Sequence, residues 1–411
     1  MTDKTSSSVQ VLLQRGVQMP HPESVMVDPA VDVDQVAAGV VIHPGCRITG
    51  PRTSIGPGCV LGEEAPVTLN NCQLGSRVIL AGGFFSEATC LNQSSMGSGA
   101  HVRPGTLLEE ESGGAHTVGL KQTILFPYAI LGSLINFCDA LISGGTSRQN
   151  HSEVGSAYIH FNYTPHQDKA TPSLIGDVPH GVMLDQPPVF LGGQGGLVGP
   201  ARVAFGAVIP AGIIVRADIH EGGLFSPQIQ SRKTVSHYRA GAYQSINRII
   251  SNNLIYIGNI YALRAWYRHV RSAFLSADVF QAACLTGAIE RIQSILNERV
   301  QRLNQLAEKM PRSLELARAA ADKPDIKAQP FIQQQALIER WPIMQERLAG
   351  LDNMEGDIAR RDHLLQALSM VPARTDYLNA IKNLNPAARS AGAAWLESIV
   401  NASAALWNKV G

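Results

Sequence analysis

The stretch FLGGQGGLVG, residues 190–199, carries five glycines between Gly192 and Gly199. A dinucleotide-binding loop needs glycine at its first, third and sixth positions. From Gly193 the third position is Gly195, but the sixth is Val198, and no Gly-Lys-Ser/Thr follows. The residues around the stretch settle the matter by their period. Aliphatic side chains fall at Leu191, Leu197, Val203, Ile209 and Val215, always six apart, with small and turn-forming residues between them. Neither a helix, at 3.6 residues per turn, nor a strand, with its period of two, sustains a strict six. A hexapeptide repeat does, and it builds a parallel β-helix in which one aliphatic residue per repeat points to the axis. The glycines then serve turns that need positive φ or leave no room for a Cβ.

The same signal appears earlier, in Ile42-His-Pro-Gly-Cys46, Ile55-Gly-Pro-Gly-Cys59 and the steps Met96, Val102, Leu108. Between about 110 and 190 the register breaks, at Gly113-Gly114, Gly144-Gly145 and Thr164-Pro165. Breaks in a solenoid mark loops, where functional residues concentrate.

Composition divides the chain in two. Residues 1–225 hold 31 of the 38 glycines and a net charge of −7, whereas 226–411 hold 7 glycines and a net of +8. A boundary near Phe225–Pro227 follows, giving a lead-in over 1–35, a β-helix over 36–225 and an α-helical domain over 226–411. Six cysteines without a CxxC pair argue against zinc and for buried thiols in a reducing compartment. No apolar signal core or membrane span is present, so the expected location is cytoplasmic, with no membrane partner.

After residue 230 apolar residues recur at three- and four-residue steps from Ile246 to Phe274 and from Ile292 to Met310. Further helices are expected around 328–349, 354–370 and 375–409, punctuated by Pro311, Pro324, Pro330, Pro342 and Pro372. Ser231–Ser276 has seven Lys/Arg, no acid and interleaved aromatics. Such a segment is either a nucleic-acid surface or a positive face docked on the negative solenoid. The aromatics sit in the apolar stripe, which favours docking, so no nucleic-acid partner is expected.

Three clusters in the irregular zone could carry chemistry: His101-Val-Arg103 with Gly119-Leu-Lys121, Gly132-Ser-Leu-Ile-Asn136-Phe-Cys-Asp139, and His160-Phe-Asn162-Tyr163-Thr-Pro-His166-Gln-Asp-Lys169. Arg103, Lys121 and Lys169 can hold a phosphate, and histidines can move protons near neutral pH.

From about Leu12 to Asp218 the chain resembles the acetyltransferase domain of the bifunctional N-acetylglucosamine-1-phosphate uridyltransferase/glucosamine-1-phosphate acetyltransferase. The resemblance rests on Gly16-Val-Gln-Met19, Val27-Asp-Pro29, Val102-Arg-Pro-Gly105, Gly119-Leu-Lys121, Asn162-Tyr163 and Ile209-Pro-Ala-Gly212. It implies a left-handed parallel β-helix assembled as a homotrimer. The implied activity is transfer of acetyl from acetyl-coenzyme A to the amine of a sugar phosphate or nucleotide sugar, with no metal required. By the same resemblance Arg103 and Lys121 match sugar-phosphate ligands, Asn162 and Tyr163 a sugar-binding pair, and Lys169 a further lysine. Ala211 stands where that family lines its coenzyme A site, and Gly193 stands where it has a serine near coenzyme A.

Departures accompany the matches. Ser133 and Asn136 stand where that family has its general-base histidine and a tyrosine, and Glu153 replaces an asparagine. His151, His160 or His166 would have to supply the base. No uridyltransferase motif precedes the repeats, so pyrophosphorylase activity is not expected, and 178–188 reads as an insertion able to reshape the pocket. Two readings follow: an acyltransferase of the UDP-N-acetylglucosamine type, or a non-catalytic phosphosugar-binding scaffold. The scaffold reading expects a folded solenoid to survive removal of 231–411.

Overall fold

The computed structural model of the protein describes residues 2–164, 166–225, 239–319, 328–372 and 375–407. The domain boundary expected near Phe225–Pro227 abuts 226–238, and that stretch, with Pro165 and Pro324, lies outside the described residues.

Residues 26–224 form a parallel β-solenoid of about 11 turns. Each coil contributes short strands to three faces, two of which are joined in the seven-residue strands Gly119–Leu125 and Asn136–Ile142, and the strands of these faces pair in parallel from coil to coil. The inward column of the first face runs Val102, Leu120, then Phe137 one coil on, and that of the third runs Leu191, Ile209. Leu191, Leu197, Val203, Ile209 and Val215, the residues that set the six-residue period, are all at most 1% exposed. Helix α1 (Thr2–Gln14) closes the N-terminal end, burying Leu12 and tying Arg15 to Asp34 at 2.5 Å.

The glycines of 190–199 answer to close packing rather than to left-handed backbone. The positive φ in that turn belongs to Gln194 (+53°). A Cβ on Gly192 would lie 2.3 Å from the amide of Ala211, and one on Gly196 2.2 Å from the Phe161 ring. Successive coils stack too tightly there for any side chain.

Only some of the expected breaks are loops. Gly113-Gly114 stays in register between Ser95-Met96 and Ile130-Leu131. The Met96 side chain fills the space above Gly114, so no excursion is needed. The chain leaves the coil as an antiparallel hairpin (Gly145–Ser147 with Asn150–His151), as loop residues 162–164 and 166–172, and over 176–189. The last segment contains α2 (Val178–Gly181).

The first and third faces alternate buried and exposed residues, as a solvated sheet does. The second face is buried on both sides: Ala88–Cys90, Thr106–Leu108 and Ser173–Ile175 have no exposed residue. Its outward column includes Leu107, Ile124, Leu141 and Leu174, which belong to the core of the helical domain rather than to that of the solenoid.

That domain holds α3 (Asn247–Trp266), continued by a π-helical turn (Tyr267–Arg271) and α4 (Ser272–Phe274), then α5 (Val279–Arg318) and α6 (Gln329–Gly350). It ends with α7 (Ile358–Ser369), α8 (Tyr377–Lys382) and α9 (Pro386–Ala404). Pro311 and Pro342 lie inside α5 and α6 instead of ending helices, a correction to the sequence reading, whereas Pro330 occupies a first-turn position. Helix α5 crosses the second face so closely that a Cβ on Gly287 would meet the Gln73 amide oxygen at 2.0 Å. The insertion packs here as well: Val178, Val182 and Met183 join the helical core.

The basic segment docks on the solenoid. Arg271 (0% exposed) bonds Glu110 at 2.5 Å, and the Tyr267 hydroxyl donates to Glu109 at 2.6 Å. Arg264 is buried against Asp352, and Tyr256, Tyr261, Trp266 and Tyr267 are buried too. These side chains are unavailable to a nucleic acid; Arg232, Lys233 and Tyr238 of the same segment lie outside the described residues.

Two carboxylates share one guanidinium in this cluster. Burial, opposed by Arg271 and reinforced by the Glu110 charge, pushes the Glu109 carboxyl from 4.5 up to about 7. A carboxyl raised in the folded state takes up protons on folding between those values. Its contribution is therefore complete below pH 4.5 and is lost as pH rises through 7. Glu109→Gln is expected to remove this slope, on the order of 1–3 kcal/mol. Urea unfolding at pH 5 and pH 8 should show the variant more stable than the parent at pH 8 and the gap closing at pH 5.

Candidate functional site

The turns that join the first face to the second carry the cations. Arg103 follows the strand Ala100–Val102, and Lys121, on the next coil, ends the first-face part of Gly119–Leu125. The Arg103 amide bonds the Leu120 carbonyl, so the two side chains stack one coil apart. Lys121 in turn pairs in register with Cys138, whose thiol accepts from Arg103 Nη2 at 3.3 Å. Burial raises the Cys138 thiol, with Arg103 opposing. Among the described residues no carboxylate forms an ion pair with Arg103 or Lys121.

Beside them, on the outward side of the first face, lies a depression of about 340 Å³ lined by Gly99, His101, Arg103, Thr117, Gly119 and Asn136 among others. Gly119 leaves its floor open, and the exposed His101 ring stacks on Phe84 with centroids 5.2 Å apart.

The loop after Ile159–Phe161 brings Asn162 to the same corner. Its amide lies 3.5 Å from Asp139 Oδ2, and its carbonyl accepts from Thr171. Tyr163 is 65% exposed. Lys169 is exposed, with its backbone carbonyl facing Arg299 of α5.

The three histidines offered as base stand apart from this corner. His160 points inward, pairing with Leu197 in the first-face core and packing edge-on against Phe137. It is 4% exposed, its Nε2 lies 2.7 Å from the Ser173 hydroxyl, and burial lowers its pKa to about 4. An imidazole in the inward column does not face a substrate on the outer surface. His166 accepts from the Gly241 amide at 2.9 Å and packs on Tyr243, and burial lowers its pKa. His151 belongs to the hairpin between the second and third faces, with Nδ1 2.7 Å from the Arg148 carbonyl.

Gly193 and Ala211 share the turn between the third face and the first. The Ala157 amide bonds Ser133, that of Gln194 bonds Ser156, and that of Gly212 bonds Gly193, which stacks Ser133, Ser156, Gly193 and Ala211 on successive coils. The residues are small, so this corner is a shallow shelf along the first face. Its lower continuation is His116, exposed one coil beneath Ser133. Its signal in the sequence is the coil spacing of 17 residues that separates it from Ser133. Arg299, brought from a distant helix, carried no such signal.

The insertion 178–188 lies between the second and third faces, against α3 and α9, and its His180 bridges Asp177 (3.1 Å) and Glu397 (3.4 Å). It does not line the Arg103 depression. Among the described residues no group of three or more His, Cys, Asp or Glu is placed to hold a metal, and no helix is long and apolar enough to cross a membrane.

No protein-family model matches the chain. Curated relatives do. Bifunctional protein GlmU of Pelobacter propionicus is 31% identical over 214 residues, covering 52% of this chain and 41% of the relative. GlmU of Trichlorobacter lovleyi is 32% identical over 209 residues, 51% and 40% of the two chains. GlmU of Thermotoga petrophila is 25% identical over 211 residues. The solenoid is consistent with the acetyltransferase-like part of such a protein. Over about half its length the chain resembles the bifunctional protein GlmU, and it spans about two fifths of the length of those relatives.

Proposed function

We propose that the protein binds a phosphorylated amino sugar, or the corresponding nucleotide sugar, at the Arg103–Lys121 corner and transfers an acyl group to its amine from acetyl-coenzyme A. The observation that carries this reading is the pair of cations stacked on adjacent coils, without carboxylate partners among the described residues, of which Arg103 lines a depression. Two such donors fit a phosphate, and charge-assisted bonds of this kind are the strong ones. Asn162 and Tyr163 flank the corner as sugar contacts, with Lys169 on the same loop. The small-residue shelf of Gly193 and Ala211 suits the extended arm of coenzyme A.

Aminolysis of a thioester needs one proton acceptor: the amine attacks the acyl carbon, the thiolate leaves, and the ammonium proton goes to a base. Of the described histidines, His101 is the one lining the depression with Arg103 and Asn136. It replaces His151, His160 and His166 as our candidate base. Self-association as a trimer would use the first and third faces, since the helical domain occupies the second. Ile79, Phe190 and Val208 stand outward and exposed on the third. A cytoplasmic location agrees with six cysteines of which none is in a disulfide.

Thiol release from acetyl-coenzyme A with glucosamine 1-phosphate tests the reading. Lys121→Ala is expected to raise the KM for the phosphosugar about 10- to 100-fold, the worth of one charge-assisted contact, with oligomeric state unchanged. Unchanged kinetics would remove the phosphate role. Ser133 and Asn136, in place of the family's histidine and tyrosine, favour a second reading, a phosphosugar-binding protein without turnover. Binding of glucosamine 1-phosphate without thiol release would establish that one.

A further inference from the structure

Helix α5 places a fully buried guanidinium behind the anion corner. Arg299 is 1% exposed and reaches Asp139 Oδ1 at 2.9 Å, Gln122 Oε1 at 3.2 Å and the Lys169 carbonyl at 3.4 Å. Each partner is a turn residue in left-handed conformation: Gln122 (φ +48°), Asp139 (+62°) and Lys169 (+54°). Each also adjoins or belongs to the proposed site. Gln122 follows Lys121, Asp139 follows Cys138 and accepts from Asn162, and Lys169 ends the Asn162–Tyr163 loop.

Asp139 is the charged group that decides the corner. Burial raises its carboxyl, Arg299 and then Lys121 act the other way, and of the smaller influences Glu298 raises it and Arg302 lowers it. Arg299 therefore competes with Lys121 for one carboxylate, and it holds that carboxylate at hydrogen-bond distance. Glu298 is a weaker claimant on Arg299, at 3.7 Å, and is bonded to Arg302 at 2.6 Å. Were Arg299 neutral, Lys121, in register with Cys138 beside Asp139, would be the cation left to compensate an ionised Asp139, since an unpaired buried charge costs several kcal/mol.

We propose that Arg299 is a positioning residue through which the helical domain sets the anion affinity of the solenoid: by taking the Asp139 carboxylate it leaves Lys121 unneutralised for a phosphate. The inference rests on the proposed function for its ligand but not for its mechanism. The full chain, dimethylated at its lysines with ¹³C, reports the Lys121 titration by NMR, with Lys121→Arg assigning the resonance. Glucosamine 1-phosphate binding is measured alongside by calorimetry.

Arg299→Gln is expected to weaken binding about 10- to 100-fold and to raise the Lys121 pKa as Asp139 turns to it. Asp139→Asn in that background is expected to restore both. A purely structural arginine would not move the lysine titration, and the second substitution would not repair its loss. Should Arg299→Gln fail to fold, Arg299→Lys keeps the charge and is expected to retain affinity within about threefold, while Asp139→Asn alone should lower the Lys121 pKa. An unmoved Lys121 resonance in Arg299→Gln, or in Asp139→Asn where that is the variant that folds, overturns the inference. A parent chain that shows no phosphosugar binding overturns the proposed function instead and leaves the lysine titration to decide the role of Arg299.

Discussion

A chain ending at Phe225 is expected to aggregate rather than yield a soluble solenoid. Leu107, Ile124, Leu141 and Leu174 point outward on the second face and are at most 4% exposed because α3, α5 and the residues around them cover that face. Stripping the helices would return four aliphatic side chains to water, at about 1.5–3 kcal/mol each, or on the order of 6–12 kcal/mol in all. That is comparable to the whole stability of an ordinary domain. The loss also strands Glu109 and Glu110 without Tyr267 and Arg271, and Asp139 without Arg299. Expression of 1–225 with a soluble-fraction assay and circular dichroism checks it. Replacing the four aliphatics by Thr or Gln in the same fragment is expected to recover soluble β-structure. If the unaltered fragment were soluble and cooperative, the second face would not depend on the helices, and the scaffold reading with its separable solenoid would stand.

The contrast between the two halves explains what was legible in advance. A solenoid is written locally. Leu191, Leu197, Val203, Ile209 and Val215 each declare an inward position within one coil, so the fold could be read from a single stretch. The helices were legible as periodic stripes, and even the negative-on-positive docking followed from the charge split. Which face the helices cover was not, because Leu107, Ile124, Leu141 and Leu174 look like core residues of either domain until the coils are stacked. The site shows the same limit. Arg103 and Lys121 are matched by short motifs and do stack at one corner. His160 sits among polar loop residues in sequence, yet its register with Leu197 turns it inward, and no spacing along the chain displays that parity after a loop. Arg299 lies 160 residues beyond Asp139, on one turn of the 40-residue helix α5, so only the fold joins them.

Arg271→Met is expected to cost about 3–5 kcal/mol. The guanidinium has no exposure, bonds Glu110 at 2.5 Å, and stacks on the Tyr377 ring with its carbon 3.7 Å from the centroid. Methionine fills a similar volume, so the cost comes from charge rather than from a cavity: Glu110, 5% exposed, would be left without a cation, beside Glu109. The neighbouring carboxylates would then bind protons more tightly in the folded state. The destabilisation should consequently grow with pH, being smallest near pH 4.5 and largest above pH 7. Arg271→Lys should recover little, because an ammonium cannot both reach Glu110 and stack on Tyr377 as a planar group. Glu110→Gln in the methionine background should recover a large part of the loss, and thermal or urea unfolding of the four chains forms the cycle that isolates the pair. An additive cycle would mean that Arg271 acts through its stacking on Tyr377 within the helical domain and not through Glu110. A coupling of 2 kcal/mol or so would place the bond between the solenoid and its helical partner in this one buried pair.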